Sequence, residues 1–261
     1  MTAGAFFDLD KTLIEGSSAI HFGRAAYRHG LLTRTQLARD LWANIRFRMR
    51  GSTDAGSEEL RQRILDAIAG TRVRDLQRLG HEVLAGVLPR VYPEVLREAY
   101  EHQDAGRPVF IVTAASHEMA ELMAHVLAFD GGIGTRSEVR DGVYTGGPDG
   151  PFTYREGKAE AMRERAAAEG IDLSESYAYS DSESDLPMLR VVGHPVAVNP
   201  DTELERIARA EGWRIMRFDK LGRRLKWATV VSSVLLLGGG GGYAAARARR
   251  PRPRRRLPGR G

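Results

Sequence analysis

The 261-residue chain contains no cysteine. Disulfides and thiolate metal sites are therefore excluded, and an intracellular setting is the default expectation. Acidic residues are missing from the far end: none follows Asp219, while twelve basic side chains run from Lys220 to Arg260. The net charge of +5 thus hides a division, because residues 1–219 hold 27 basic against 34 acidic side chains. The acidic body gives no reason to expect specific nucleic acid binding by the domain itself. No basic start followed by a long apolar run opens the chain, so no signal peptide is expected. What is present is a 42% hydrophobic fraction, enough for a core in one large domain or two modest ones.

The chain is organised around residues 3–15, AGAFFDLDKTLIE. Ala3, Ala5, Phe6 and Phe7 read as a buried strand that delivers two carboxylates, Asp8 and Asp10. From Gly16 to Gly106 the pattern is helical, with no convincing strand. Helices are expected over 18–29, from Thr33 to Gly51, from a Ser57 cap to Ile68, over 72–86, and from Pro93 to Gln103. Beyond Gly106, PVFIVT (108–113) is a continuous apolar run of the kind buried on both faces of a sheet. Further strands are expected near 132–146, where Asp141-Gly142 signals a hairpin turn, and at 176–180, 194–199 and 213–218. Helices at 117–128, 156–168, 186–190 and 202–211 alternate with them. Alternation predicts an α/β domain with a parallel sheet, residues 1–15 and 104–219, interrupted by a small all-helical domain over 16–103. Such sheets bind ligands at the carboxyl ends of their strands, where Asp8, Thr113 and Asp181 all fall.

These parts suit phosphoryl transfer to a carboxylate. Asp8 is the candidate nucleophile. Asp10 is placed to protonate the leaving oxygen and then to activate water. Asp8, the main-chain carbonyl of Asp10, and Asp181 offer hard oxygen ligands, which suit Mg²⁺ rather than zinc. Thr113, through its hydroxyl, and Ala114, through its N–H, can receive a phosphate, and Lys158 can neutralise a phosphoryl oxygen. Asp185 has two readings: a positioner of Lys158 or of metal-bound water, or simply the cap of helix 186–190. His117, His21 and His29 read as ordinary polar residues.

DLDKT, IVT, GK and YSDSESDLPML, in that order, resemble the four motifs of the haloacid dehalogenase superfamily. The resemblance is closest to the phosphoserine-phosphatase-like branch with a helical cap after the first motif. It implies Mg²⁺-dependent hydrolysis of a small phosphorylated metabolite through an aspartyl-phosphate, with phosphoserine the leading substrate. By motif match it implies Asp8 as nucleophile, Asp10 as acid and base, Thr113 and Lys158 on the phosphate, Asp181 on the metal, and Arg63 on the substrate. The sequence departs from that branch at Ser17, Ala114 and Ser184, where a Glu, a Gly and an Asn are usual. Two other readings are a phosphotransferase or mutase, and a membrane-tethered regulatory protein that has kept only the fold.

Residues 220–261 form a separate tail. Residues 227–246 carry no charge over the length of a membrane span, with basic residues on both sides and Trp227 and Tyr243 near the ends. Five consecutive glycines, 238–242, weaken a helix there. Eight arginines beyond it would have to cross if a cytoplasmic catalytic domain were tethered by a span. A segment lying on an anionic membrane surface avoids that crossing. A Gly- and Arg-rich unstructured tail is the other reading.

Overall fold

The computed structural model describes residues 2–33 and 54–218, and every element below lies in the compact unit Met1–Arg217. The strands are β1 (Ala5–Asp8), β2 (Val109–Ser116), β3 (Gly131–Thr135), β4 (Ser137–Arg140), β5 (Val143–Pro148), β6 (Tyr177–Ser180), β7 (His194–Val198) and β8 (Arg214–Met216). The helices are α1 (Ser18–Arg28), α2 (Asp54–Ile68), α3 (Val73–Gln77), α4 (Gly80–Val87), α5 (Pro93–Asp104), α6 (His117–Val126), α7 (Glu156–Glu169), α8 (Leu186–Arg190) and α9 (Thr202–Ala210). Six strands form one parallel sheet in the order β3-β2-β1-β6-β7-β8, the parallel sheet expected from the alternating pattern and the Rossmann-like core that the resemblance to the haloacid dehalogenase superfamily implies.

β1 is central because it can be: all four of its residues are buried, and it has no polar side chain before Asp8. The two-residue period of a strand sends Phe6 to one face and Phe7 to the other. Phe6 stacks on Phe110 at 5.3 Å within the cluster that also holds Met162, Ala178, Met188 and Leu189. Phe7 stacks on Tyr179 at 4.2 Å on the opposite face. β3 is glycine-rich for a packing reason. A Cβ at Gly132 would sit 2.2 Å from the Ala120 carbonyl carbon, and one at Gly134 would sit 2.7 Å from the His117 Cα. Only without those atoms can α6 lie flat on β3.

Three expectations change. The single helix over 72–86 is two, α3 and α4, broken at Arg78–Leu79. The break brings Gly80 against Leu122 of α6, where a Cβ would be 2.6 Å from a methyl carbon. α2 starts at Asp54, three residues before the expected Ser57 cap. The hairpin β4–β5 turns at Asp141 and Gly142, both with positive φ as its turn requires, but it does not join the main sheet. Instead it pairs with the connection after α2: Gly70 N–H donates to Tyr144 O, Tyr144 N–H to Thr71 O, and Val73 N–H to Gly142 O. The helix expected from Thr33 to Gly51 lies outside the described residues.

The chain leaves the sheet for the helical segment and returns side by side. Glu15 N–H donates to Arg90 O at 2.8 Å, Tyr92 N–H donates to Leu13 O at 2.9 Å, and Ile14 bridges Val91. Behind this crossing α5 packs on the sheet through a buried polar chain. Arg107 Nε donates to His102 Nδ1 at 2.7 Å, and His102 Nε2 meets the Tyr179 hydroxyl at 2.7 Å. The Tyr179 hydroxyl reaches Glu98, which is held by both ends of the Arg214 guanidinium. With Nδ1 accepting from Arg107, the ring is neutral and carries its proton on Nε2.

Burial, reinforced by Arg107, pulls His102 down from 6.5 to about 4 against the pull of Glu98. Between these values the unfolded chain binds a proton at this site and the folded chain does not. Stability at this site is therefore complete above pH 6.5 and is lost as pH falls toward 4. Urea unfolding of the parent should lose roughly 2 kcal/mol more across that window than unfolding of His102→Gln does. Identical pH dependences in the two proteins would refute the assignment.

Candidate active site

Asp8 ends β1 with Val112 of β2 as its register partner. Thr113 is the next residue of β2, and Asp181 follows the last residue of β6 on the other side. The carboxyl ends of the three central strands thus bring these side chains to one edge of the sheet, and all three are buried.

Lys158 enters from the first turn of α7. Its Nζ donates to Asp8 Oδ1 at 2.6 Å and to Asp185 Oδ2 at 2.8 Å, and all three side chains are buried. The start of α7 is shaped for this. Arg155, the residue before the helix, has φ 52° and ψ −121°, a conformation costly for a side-chain-bearing residue. Gly157 lies so close to the preceding loop that a Cβ would fall 1.9 Å from the Phe152 carbonyl oxygen. Asp185 is the residue before α8, but its side chain caps nothing. Its carboxylate instead takes Lys158 and the Ser180 hydroxyl, at 2.7 Å. Of the two readings of Asp185, the Lys158 partner is the one whose contacts are present.

Asp10 has different company. A tight turn follows β1, with Lys11 at φ 64° and Ile14 N–H donating to Leu9 O. This carries Asp10 to the start of α1, where its carboxylate accepts from the Ser17 hydroxyl at 2.7 Å and from the Ser18 N–H at 2.8 Å. An anion at a helix N-terminus is favourably placed. Asp181 faces the same turn: Lys11 Nζ is 3.5 Å from one of its oxygens and the Thr12 hydroxyl is 3.5 Å from the other.

Asp201 is a residue that the sequence reading missed. Its N–H donates to Asp181 O at 2.8 Å, and its carboxylate accepts from Glu183 N–H at 3.0 Å and from Leu204 N–H at 2.8 Å. It therefore caps α9 and holds the acidic loop at once. An Asp directly before a helix was the available signal. Thr113 Oγ1 accepts from Ala115 N–H at 3.2 Å, which leaves its own hydroxyl proton to give. The Ala114 carbonyl accepts from the Thr135 hydroxyl at 3.0 Å. Arg63 lies on α2 in an ion pair with Glu59, one helical turn away. Among the described residues no contact joins Arg63 to this cluster. His117 faces Glu121 at 3.9 Å.

The electrostatics bear on a metal. Burial pushes the Asp8 carboxyl up; Lys158 opposes this, while Asp185 and Asp181 add to it. Burial pushes Asp181 up as well, opposed chiefly by Lys11. Lys158 loses charge stability by burial but regains more from Asp185 and Asp8, and so stays protonated. Lys158 is shared by Asp8 and Asp185, while Asp181, beside them, has the half-exposed Lys11 as its cation. Among the described residues no three His, Cys, Asp or Glu side chains surround a common point. Asp8 and Asp181, buried and each raising the charge cost of the cluster, are hard oxygen donors of the kind Mg²⁺ takes, so the residues fit that ion.

A family profile described as haloacid dehalogenase-like hydrolase matches residues 5–190. The chain is 38% identical over 238 residues to a Mycobacterium tuberculosis protein named phosphoserine phosphatase SerB1, covering 90% of this chain and 77% of that one. It is 30% identical over 227 residues to a Neisseria meningitidis histidinol-phosphatase, covering 82% of this chain and 98% of that one. A solved Bordetella pertussis protein of unknown function superposes with a TM-score of 0.73 at 30% identity, over 83% of this chain and 99% of that one. With Asp8, Thr113 and Asp181 at the carboxyl ends of the central strands, Lys158 of α7 reaching Asp8, and these relatives spanning most of its length, the chain belongs to the haloacid dehalogenase-like hydrolase family.

Proposed function

We propose that the chain is a phosphomonoesterase that works through Asp8 on a small phosphorylated metabolite. The observation that carries this is the parting of the two carboxylates in one short motif. Asp8 is buried against Lys158, while Asp10 is held apart by Ser17 and Ser18 at the start of α1. One group is arranged to attack and the other to manage a proton.

An Asp8 oxygen bonds to phosphorus as the bond to the leaving alkoxide breaks, and Asp10 gives that alkoxide its proton. Lys158, Thr113 and the Ala114 N–H take the phosphoryl oxygens. Asp10 then removes a proton from water, whose oxygen bonds to phosphorus as the Asp8–phosphorus bond breaks, releasing inorganic phosphate. Asp8, Asp181 and the Asp10 carbonyl would hold Mg²⁺, which when bound offsets the negative charge that otherwise keeps phosphate from a carboxylate. Asp185 and Ser180 keep Lys158 aimed, and Asp201 keeps Asp181 in place. Phosphoserine is the leading substrate, in line with the named activity of the relative that is 38% identical. Arg63 is retained only as a more distant candidate for substrate contact.

With Mg²⁺ and phosphoserine, Asp8→Asn should lower phosphate release roughly 10⁴-fold, and Lys158→Met at least about 10²-fold, with far-ultraviolet circular dichroism unchanged. An Asp8→Asn protein as active as the parent would sink the nucleophile assignment. Appearance of phosphate on an added alcohol, in place of free phosphate, would make the chain a transferase.

The described helices include none long and apolar enough to cross a membrane, and residues 219–261 lie outside them. We propose that residues 221–261 bring the domain to an anionic lipid surface. The full chain should sediment with phosphatidylserine vesicles at low salt and a chain ending at residue 220 should not; equal sedimentation of both would retire the tail as an anchor.

A further inference from the structure

Thr113 and Ala114, the residues proposed to receive phosphoryl oxygens from β2, do not sit in a regular ladder. β2 pairs with β3 at Val112–Ile133 and again at Ser116–Thr135, so the pairing advances four residues on β2 and two on β3. Thr113, Ala114 and Ala115 are the surplus, bulged out opposite Gly134. A Cβ on Gly134 would lie 2.8 Å from the Ser116 carbonyl carbon, so the glycine lets the end of the bulge close down on β3.

Bulged residues lose the partner strand for their N–H and carbonyl groups and need other partners. The Ala115 N–H is held from within the bulge, by Thr113 Oγ1 at 3.2 Å. The Ala114 carbonyl is held from outside it, by the Thr135 hydroxyl at 3.0 Å. These are the two ends of one peptide unit, so that unit is fixed on both sides. Release at either end would let the turn relax, and with it the directions of the Thr113 hydroxyl and the Ala114 N–H.

The Thr135 oxygen is used a second time. It accepts from the Thr153 N–H at 3.3 Å, and both threonines are buried. The two roles cannot be exchanged, since a carbonyl only accepts and an N–H only donates. From Thr153 the chain reaches Lys158 through short turns: Tyr154 N–H donates to Phe152 O, Gly157 N–H to Tyr154 O, and Lys158 N–H to Arg155 O. One buried hydroxyl thus links the bulge of β2 to the start of α7.

We propose that Thr135 is a positioning residue that sets the spacing between the two phosphate-receiving parts of the site, Thr113 and Ala114 on β2 and Lys158 on α7. This rests on the reading of those residues as phosphate ligands. Thr135 itself touches no substrate and acts through the bulge and the loop before α7. What it contributes is a hydroxyl: valine keeps the shape and loses both hydrogen bonds, and serine keeps both.

Inorganic phosphate, titrated calorimetrically into the Mg²⁺-loaded chain, should bind Thr135→Val about 10-fold more weakly than the parent, and Thr135→Ser within about twofold of it. Mg²⁺ alone should bind all three proteins within about twofold, because Asp8 and Asp181 lie on β1 and after β6. Should far-ultraviolet circular dichroism show Thr135→Val unfolded, Thr135→Ala is read in its place with the same expectation. A hydroxyl-free variant that binds phosphate as tightly as the parent overturns the inference. So does a Thr135→Ser as weak as Thr135→Val, which would make the methyl group the part that counts, and so does Mg²⁺ binding that weakens in step with phosphate, the mark of a general loosening. A parent that binds phosphate, weakens as expected in Thr135→Val, and releases no phosphate from phosphomonoesters would sink the hydrolase reading and leave this one standing.

Discussion

A buried ammonium between two carboxylates is the constraint on which the rest depends. Lys158 keeps its charge in the interior because Asp8 and Asp185 lie against it. Losing one member of such a cluster leaves an unpaired buried charge, at a cost of about 3–5 kcal/mol. The cluster is drawn from β1, α7 and the loop after β6, so it also ties distant parts of the chain to one point. The costs nearby are consistent with that: the unfavourable backbone of Arg155 and the contact at Gly157 persist because they aim Lys158 at its partners.

The second organising feature is the crossing at Leu13–Glu15 and Arg90–Tyr92. The two segments that lead from the sheet to α1 and back from α4 are hydrogen-bonded to each other. The β4–β5 hairpin, paired with residues 70–73, is a second tie between the helical segment and the rest of the fold. Asp10, Ser17 and Arg90 all lie within a few residues of the crossing.

Much of this was legible in the residues. The strands and most helices follow from apolar periodicity, and Asp8, Asp10, Lys158 and Asp181 stand out because four motifs occur in order. Other parts were not legible because they depend on distance in space. Nothing in residues 72–86 reveals that the helix must break to let Gly80 meet Leu122. The Asp141-Gly142 turn was clear, but which element its hairpin would join was not, since β-pairing is decided by partners far away in sequence. Asp185 had two local explanations, and only the position of Lys158 separates them. His21 looked like an ordinary polar residue because Arg90, its partner, is distant in the chain.

The position of β1 has a consequence for how the chain reaches this structure. β1 precedes the other described strands in the chain and lies inside the sheet, yet its neighbours begin at Val109 and Tyr177. A nascent chain therefore carries its apolar first strand without a partner through the whole helical segment. Pairing of this kind closes long loops before it is rewarded, which slows folding and exposes unpaired strand edges meanwhile. The acidic cluster around Lys158 assembles only when the last of its strands, β6, arrives, so the site is among the late products of folding.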